Sequence, residues 1–399
     1  MTHLQPLLEI KDSRFLVSAI VSTYNAERFF RGCLDDLVRQ TLFAQGNLEI
    51  VVVDSGSVQG EGEIVREYQE MYPNIVYERT NRETLYAAWN RGVSLARGRF
   101  LTAANTDDRH RSDALETMAR VLDQTEVGLV YSDVLVTTIA NETFDRNSAE
   151  TVWELPEYSL RQALVHCPYG AKYMWLRSLH DEVGLFDGFY TSAGDYEFFL
   201  RLSKRFGGFR IHQALGLYFE SLQNISYRDQ SVVVQEVSRF LPGQRKVAQF
   251  NEIYHFLRED ASNAARSAAV VDFANQLVWS SVFPDLIYAE ELYRQAERVH
   301  SPFGPGVRNN LALIRLRQGR ESEAISILEE VASLFDPAGH NLNEIRSGRS
   351  ARNLRLFSGP HPAISQMPPI ITPQGRRVPL RDYMASELPL LEVLADAAK

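Results

Sequence analysis

The sequence predicts an α/β domain with a mostly parallel sheet, followed by an all-helical region. Three observations carry this. Short β-rich apolar runs alternate with amphipathic stripes through about residue 140. Polar clusters stand where three of those runs end. From about Ser231 to Leu334 strand patterns cease and helical patterns take over. Strict β-α alternation implies parallel strands joined by crossover helices lying on both faces of the sheet.

Each element has its own signal. Leu16 to Ser22 is apolar and β-rich, which reads as a strand. Ala26 to Gln40 carries Phe29, Phe30, Cys33, Leu34, Leu37 and Val38 at helical spacing. Leu48 to Val53 is a second strand, and Glu61 to Met71 a second helix with Ile64, Val65, Tyr68 and Met71 on one face. Ile75 to Glu78 reads as a short strand and Leu85 to Ala96 as a helix closed by Gly98. Arg99 to Ala104 is a buried strand, Arg111 to Gln124 a helix, and Val127 to Tyr131 a further strand.

Bulk properties narrow the function classes. A chain of 399 residues holds two or three domains. Its net charge of −9 argues against a general nucleic-acid or anionic-membrane surface. Two cysteines, Cys33 and Cys167, demand neither a disulfide nor a metal cluster. The N-terminus has no signal-peptide hydrophobic region, and no run reaches the length of a membrane-spanning helix. The expectation is a cytoplasmic protein, with the inner face of the membrane as a peripheral location.

In open α/β sheets ligands bind at the carboxyl ends of strands. Three clusters fall there: Ser22-Thr23-Tyr24-Asn25, Asp54-Ser55-Gly56-Ser57 and Asn105-Thr106-Asp107-Asp108. Carboxylates at the end of a buried strand are costly unless a ligand compensates them. Mg²⁺ favours one or two carboxylates plus substrate phosphates, so the third cluster reads as a site for a divalent metal (Mg²⁺ or Mn²⁺) and a diphosphate. A solvated turn capping the next helix would use the same residues. Further on, Asp195 stands at the start of a helix running to about Phe206, where a simple N-cap is its bland role. Trp89 and Trp175 read as core, and His166 as a structural histidine or an acceptor contact.

The helical region carries a repeat. Ala289, Leu292, Tyr293, Ala296 and Pro302 match Ala324, Ile327, Leu328, Val331 and Pro337 at a spacing of 35 residues. That spacing is close to the roughly 34-residue tetratricopeptide period. Residues 229–338 are therefore expected to form a tetratricopeptide-like domain that binds a protein, either an acceptor or a second copy as a homodimer. Residues 339–399 form a tail rich in Gly, Pro, Arg and Ser, ending in a helix over Asp382 to Ala398.

The pieces of residues 1–228 resemble, in order, the blocks of a family 2 glycosyltransferase. These are Val17 to Asn25, Glu49 to Ser57, Leu85 to Gly92, Gly98 to Asp108, His166 to Asp187 and Ser192 to Leu202. The resemblance implies a GT-A nucleotide-diphospho-sugar transferase fold beside the second, all-α domain. It implies transfer of a sugar from a nucleotide-diphosphate donor to a hydroxyl acceptor on a polysaccharide, a lipid-linked glycan or a protein. Ser22 and Tyr24 would line the base and ribose pocket, and Asp54 or Ser55 would contact the nucleobase. Asp107 would be the metal ligand, helped by Asn105 and Asp108, and Asp195 the catalytic base. Relatives usually carry Thr-Asp where Val58-Gln59 stands, and many carry Glu where Gly194 stands. One base and no second candidate nucleophile predict inversion at the anomeric carbon. Two other readings compete. A nucleotidyltransferase would want a Gly-rich basic loop after the first strand, where Thr23-Tyr-Asn-Ala-Glu27 stands instead. A nucleotide-binding scaffold acting through its helices would not need Asp107 and Asp195.

Overall fold

The computed structural model describes residues 13–222, 230–280, 282–298, 303–348, 353–359, 361–370 and 376–384. These fall into two compact units. One takes 13–159, the described residues of 167–240, and 376–384. The other takes 160–166 and the described residues of 241–370.

The first unit begins with the expected alternation: β1 (Phe15–Thr23), α1 (Glu27–Val38), β2 (Leu48–Asp54), α2 (Glu61–Met71), β3 (Ile75–Arg79), α3 (Leu85–Leu95) and β4 (Gly98–Ala103). These four strands lie in the order β3-β2-β1-β4, all parallel. β2 is buried along its whole length, which suits its unbroken apolar run. Phe30, Leu34 and Leu37 of α1 are fully buried, as its stripe requires.

Beyond β4 the sheet departs from the parallel expectation. β5 (Arg109–His110), α4 (Ala114–Gln124), β6 (Leu129–Thr137), β7 (Thr151–Glu154), β8 (Lys172–Leu176), α5 (Gly194–Phe206) and β9 (Gly208–Phe219) follow. β8 inserts antiparallel between β4 and β6, pairing with Leu129 to Ser132, and β7 pairs antiparallel with β6 further along, at Val134 to Val136. Antiparallel neighbours need no crossover helix, so irregular segments can join them and no periodic signal marks the change. β9 runs parallel to β6, with a bulge near Asp133. The helix expected from Arg111 begins at Ala114, because Arg109 and His110 pair with β9. At the chain's far end β10 (Arg376–Pro379) pairs antiparallel with β7. A short helix, Leu380–Met384, follows; the expected helix beyond it lies outside the described residues.

Helix α6 (Gln230–Val247) opens the helical part of the chain. In the second unit α7 (Asn263–Trp279), α8 (Leu286–Arg298), α9 (Gly304–Arg317), α10 (Glu321–Val331) and α11 (Asp336–Arg346) pack each against the next. Most of the repeating positions face the core, while Ile327 is half-buried. Ala289, Leu292, Tyr293 and Ala296 of α8 are buried, as are Ala324, Leu328 and Val331 of α10. Pro302 of that pattern lies outside the described residues. No helix among the described residues is long and apolar enough to cross a membrane.

Candidate active site

The parallel strands deliver three turns to one edge of the sheet. β1 and β2 run in register to Thr23 and Asp54. Their turns are then tied together. The Asn25 N–H donates to Ser57 Oγ (3.1 Å), the Val58 N–H to Asn25 Oδ1 (2.9 Å) and the Ala26 N–H to Glu61 Oε1 (2.6 Å). Asn25 adopts φ 51°, the left-handed region its side-chain bond helps it hold. Val58-Gln59, the departure from the family pattern, therefore sits in a fixed turn; Gln59 accepts from the Glu27 N–H.

Asp54 is fully buried and saturated. It accepts from the Ser57 N–H (2.7 Å), the Tyr77 hydroxyl (2.8 Å) and Arg79 Nη1 (2.7 Å). Burial pushes its carboxyl up, but these donors outweigh that and hold it below the usual carboxylate range. Ser55 is buried beside it, and Ser22 is half-buried at the end of β1. Tyr24 is exposed, with the Arg82 guanidinium 3.7 Å from its ring centroid, a flat cationic–aromatic platform.

After β4 the acidic turn folds on itself. Asn105 Nδ2 donates to Asp108 Oδ2 (3.1 Å) and the Phe219 N–H to Asp108 Oδ1 (3.2 Å). Lys172 Nζ stands 3.5 Å from Asp108 Oδ2 and has no hydrogen-bond partner, though its side chain is only 1 % exposed. Asp108 is thus a buried structural acid, neutralised by a buried cation. Asp107 is different. Its carboxylate accepts from its own backbone N–H, and Lys172 and Arg109 act on it only through space. Burial, then the charge of Asp108, pushes it up to about 6. A carboxylate in that condition fits a divalent cation, which would relieve both costs. Among the described residues no three His, Cys, Asp or Glu side chains gather as a cage. Asp107 could therefore hold a metal only with ligands from a bound phosphate group or water, the usual Mg²⁺ arrangement.

Asp195 lies in the first turn of α5 and is not its N-cap, a position Ala193 takes. Its Oδ1 accepts from the Tyr86 hydroxyl (3.0 Å) and the Tyr196 N–H (2.8 Å). Burial raises its pKa against the pull of those bonds, which suits a proton acceptor. Gly194 is explained by the same neighbour: a Cβ there would lie 2.6–2.8 Å from the Tyr86 ring. The preceding loop is held from outside by Glu236 of α6. That carboxylate accepts from the Thr191 N–H and hydroxyl, the Ser192 N–H and the Ala193 N–H, at 2.7–2.9 Å. Tyr173 on β8 links the two acidic positions: burial, then Asp195, then Asp108, drives its hydroxyl far up.

Sequence reasoning missed Tyr86, Lys172 and Glu236. Trp89 (3 % exposed) and Trp175 (0 %) are core, in an aromatic cluster with Tyr86, Phe186 and Phe199. His166 belongs to the second unit. It is buried, its Nδ1 has no partner, and burial followed by the charge of Arg245 lowers its pKa to about 4.

Residues 18–184 match the family model described as Glycosyl transferase family 2. Glycosyltransferase GlyA of Streptococcus pneumoniae serotype 4 is 36 % identical over 120 residues, covering 29 % of this chain and 17 % of that protein. The PGL/p-HBAD biosynthesis glycosyltransferase of Mycobacterium tuberculosis is 32 % identical over 124 residues, covering 30 % and 47 %. The chain thus spans less than half the length of either relative. The crystal structure of S. aureus TarS 1-349 superimposes with a TM-score of 0.50 at 18 % identity, over 86 % of this chain and 98 % of that one. The fold is GT-A with a helical C-terminal region, and residues 18–184 are similar to the domain of family 2 glycosyltransferases.

Proposed function

We propose that this chain is an inverting, divalent-metal-dependent glycosyltransferase. It moves a sugar from a nucleotide-diphosphate donor to a hydroxyl acceptor. The observation that carries this reading is that burial raises two acids of the first unit in different settings. Asp107, beside the charge of Asp108, suits a cation, and Asp195, bonded by the Tyr86 hydroxyl, suits a proton.

In this reading Ser22, Tyr24, Asp54 and Ser55 line the nucleoside site, with Asp54 acting mainly by fixing the turn that Ser55 belongs to. Asp107 would hold a divalent metal, which would supply positive charge against the leaving diphosphate, and Asn105 and Asp108 keep the turn in place. Asp195 takes the proton of the acceptor hydroxyl as that oxygen bonds to the anomeric carbon. The bond from that carbon to the diphosphate oxygen breaks, and the nucleoside diphosphate leaves with the electron pair. A single displacement inverts the anomeric centre.

The test is a panel of nucleotide sugars with Mn²⁺, followed by release of nucleoside diphosphate and by the product's anomeric configuration in NMR. Sugar-dependent release with inverted product supports the reading. Binding without turnover would favour a scaffold, and a retained configuration would remove Asp195 as sole base.

A further inference from the structure

The second unit contains a polar ladder that glycosyl transfer does not use. Asn275 lies on α7, Asn309 and Asn310 on α9, and Asn341 on α11, and all four are buried. Buried amides are costly unless bonded. Their partners here are main-chain atoms of one stretch of the same chain, residues 353–359. The Arg355 N–H donates to Asn341 Oδ1 (2.7 Å), and Asn341 Nδ2 returns a bond to the Arg355 carbonyl (2.8 Å). The Phe357 N–H donates to Asn310 Oδ1 (2.8 Å), and Asn310 Nδ2 returns a bond to the Phe357 carbonyl (2.8 Å). Asn309 and Asn275 add second bonds to the same two carbonyls, each at 3.0 Å. Cross-links stiffen the ladder: Asn341 donates to Asn309 (2.8 Å) and Asn310 to Asn275 (3.0 Å).

Pairing of both N–H and C=O at alternate residues is how the edge of a β-strand is read. It reads atoms that every polypeptide carries. One side chain is also recognised. The Phe357 ring lies 5.5 Å from that of Phe303 and 5.6 Å from that of Phe335. It covers Gly306, where a Cβ would approach within 2.4 Å of it. At Gly359 the stretch comes so close to α7 that a Cβ would lie 2.9 Å from Ala268 Cα. Asn353, Arg355 and Ser358 are exposed, and Phe357 is only half-buried. The helices have their own apolar core in Ala312, Ala324, Leu328, Val331, Ala338 and Leu342. A face built only for packing would carry apolar groups at lower desolvation cost.

We propose that this face is a peptide-binding groove that reads main chain, that residues 353–359 fill it in cis, and that an extended segment of a different protein, with an aromatic residue at the Phe357 position, takes their place. The inference stands independently of the transfer reaction.

The experiment uses the full chain with Phe357→Ala and Gly359→Val, the second change driving a side chain against α7 so that the stretch leaves the groove. The probe is a fluorescently labelled synthetic peptide of sequence Asn-Leu-Arg-Leu-Phe-Ser-Gly. It should bind the vacated chain saturably, and at least about tenfold more weakly when Asn310→Ala is added, since two hydrogen bonds are lost. The unaltered chain should bind the probe at least about tenfold more weakly than the vacated one, because a tethered competitor holds the groove. A vacated chain that still unfolds cooperatively yet does not bind, or binding indifferent to Asn310→Ala, overturns the proposal. Hydrogen exchange on the unaltered chain decides the matter if the vacated chain does not fold. The Arg355 and Phe357 amides should exchange faster than the buried amides of α9, and exchange only together with α9 overturns it. A doubled mass for the unaltered chain that reverts with Asn310→Ala would assign the groove to a second copy and overturn the reading of a different partner.

Discussion

Asp195 and Asp107 carry opposite demands, and single substitutions separate them. Asp195→Asn should lower kcat by about 10²–10⁴ while donor binding stays nearly intact, as expected when a general base is lost. If donor affinity falls and kcat survives, Asp195 is a donor contact. Its pH behaviour has a definite sign. A base at Asp195 must be ionised, so activity should fall as pH drops through its raised pKa. The Tyr86 hydrogen bond favours the ionised form and lowers that pKa. Tyr86→Phe should therefore move the acidic limb of kcat/KM to higher pH, by up to about one unit. A limb that stays put or moves down would refute the role given to Tyr86. Asp107→Ala should cost roughly 10²–10³ in rate, the scale of one lost electrostatic element, and strong chelation should silence the parent chain. Activity unaffected by chelation would end the metal assignment. Asp107 stood out as a candidate because it follows a strongly patterned strand, and Asp195 only because its block resembles one of the family's. Tyr86 did not, because it reads as one more aromatic on an apolar helix and meets Asp195 across 109 residues of chain. Lys172 was hidden likewise: nothing local in Ala-Lys-Tyr-Met-Trp marks a lysine whose cation lies against a distant buried aspartate.

At the scale of elements, the start of α5 is set by a carboxylate from another helix. A helix N-terminus has unsatisfied N–H groups, and the residues before it here have three more donors in Thr191, Ser192 and Ala193. Glu236 satisfies these from α6 with both oxygens. Glu236→Gln would turn an amide NH₂ toward N–H donors. The expected cost is about 1–3 kcal/mol, read as a lower Tm, with kcat falling while the donor KM holds. A fall in donor affinity at constant kcat would instead place Glu236 with the nucleotide. Gly194→Ala attacks the same junction from the other side. Its Cβ has no room beside the buried Tyr86 ring, so overpacking of about 1–3 kcal/mol and at least a tenfold loss of kcat are expected. The sequence could show Gly194 where many members of the family it resembles carry Glu, but not why, since the reason is a ring on α3. Periodicity located α1 through α4 within a few residues, because each has one face in the core. It could not locate the antiparallel β8, whose neighbours are fixed by pairing rather than by any pattern of its own.

At the scale of the whole molecule, the end of the chain completes the sheet of the first unit. β10 is four residues, Arg-Arg-Val-Pro, a composition with no strand signal except that Pro is tolerated at an edge. Its value lies in tertiary contacts. Val378 and Tyr383 join Leu135, Val152, Ala214 and Leu217 in one buried cluster. The Tyr383 hydroxyl donates to Asp133 Oδ2 (2.7 Å). Asp133 is fully buried and also accepts from Arg210 (2.6 and 2.9 Å) and the Leu155 N–H (2.8 Å). Burial pushes its carboxyl above the ordinary range despite those donors. Tyr383→Phe keeps the ring and removes one donor from a buried charge, which should cost about 1–3 kcal/mol at neutral pH. The pH dependence identifies the cause. An acid with a raised folded-state pKa carries its penalty when ionised, above that pKa, and sheds it as pH falls and the carboxyl takes a proton in the folded state. The variant's Tm deficit should therefore be full at pH 7.5 and shrink toward acid. An equal deficit at both ends of that range would mean that the hydroxyl contributes independently of the charge on Asp133, and no deficit at either end would mean that Tyr383 acts through packing alone.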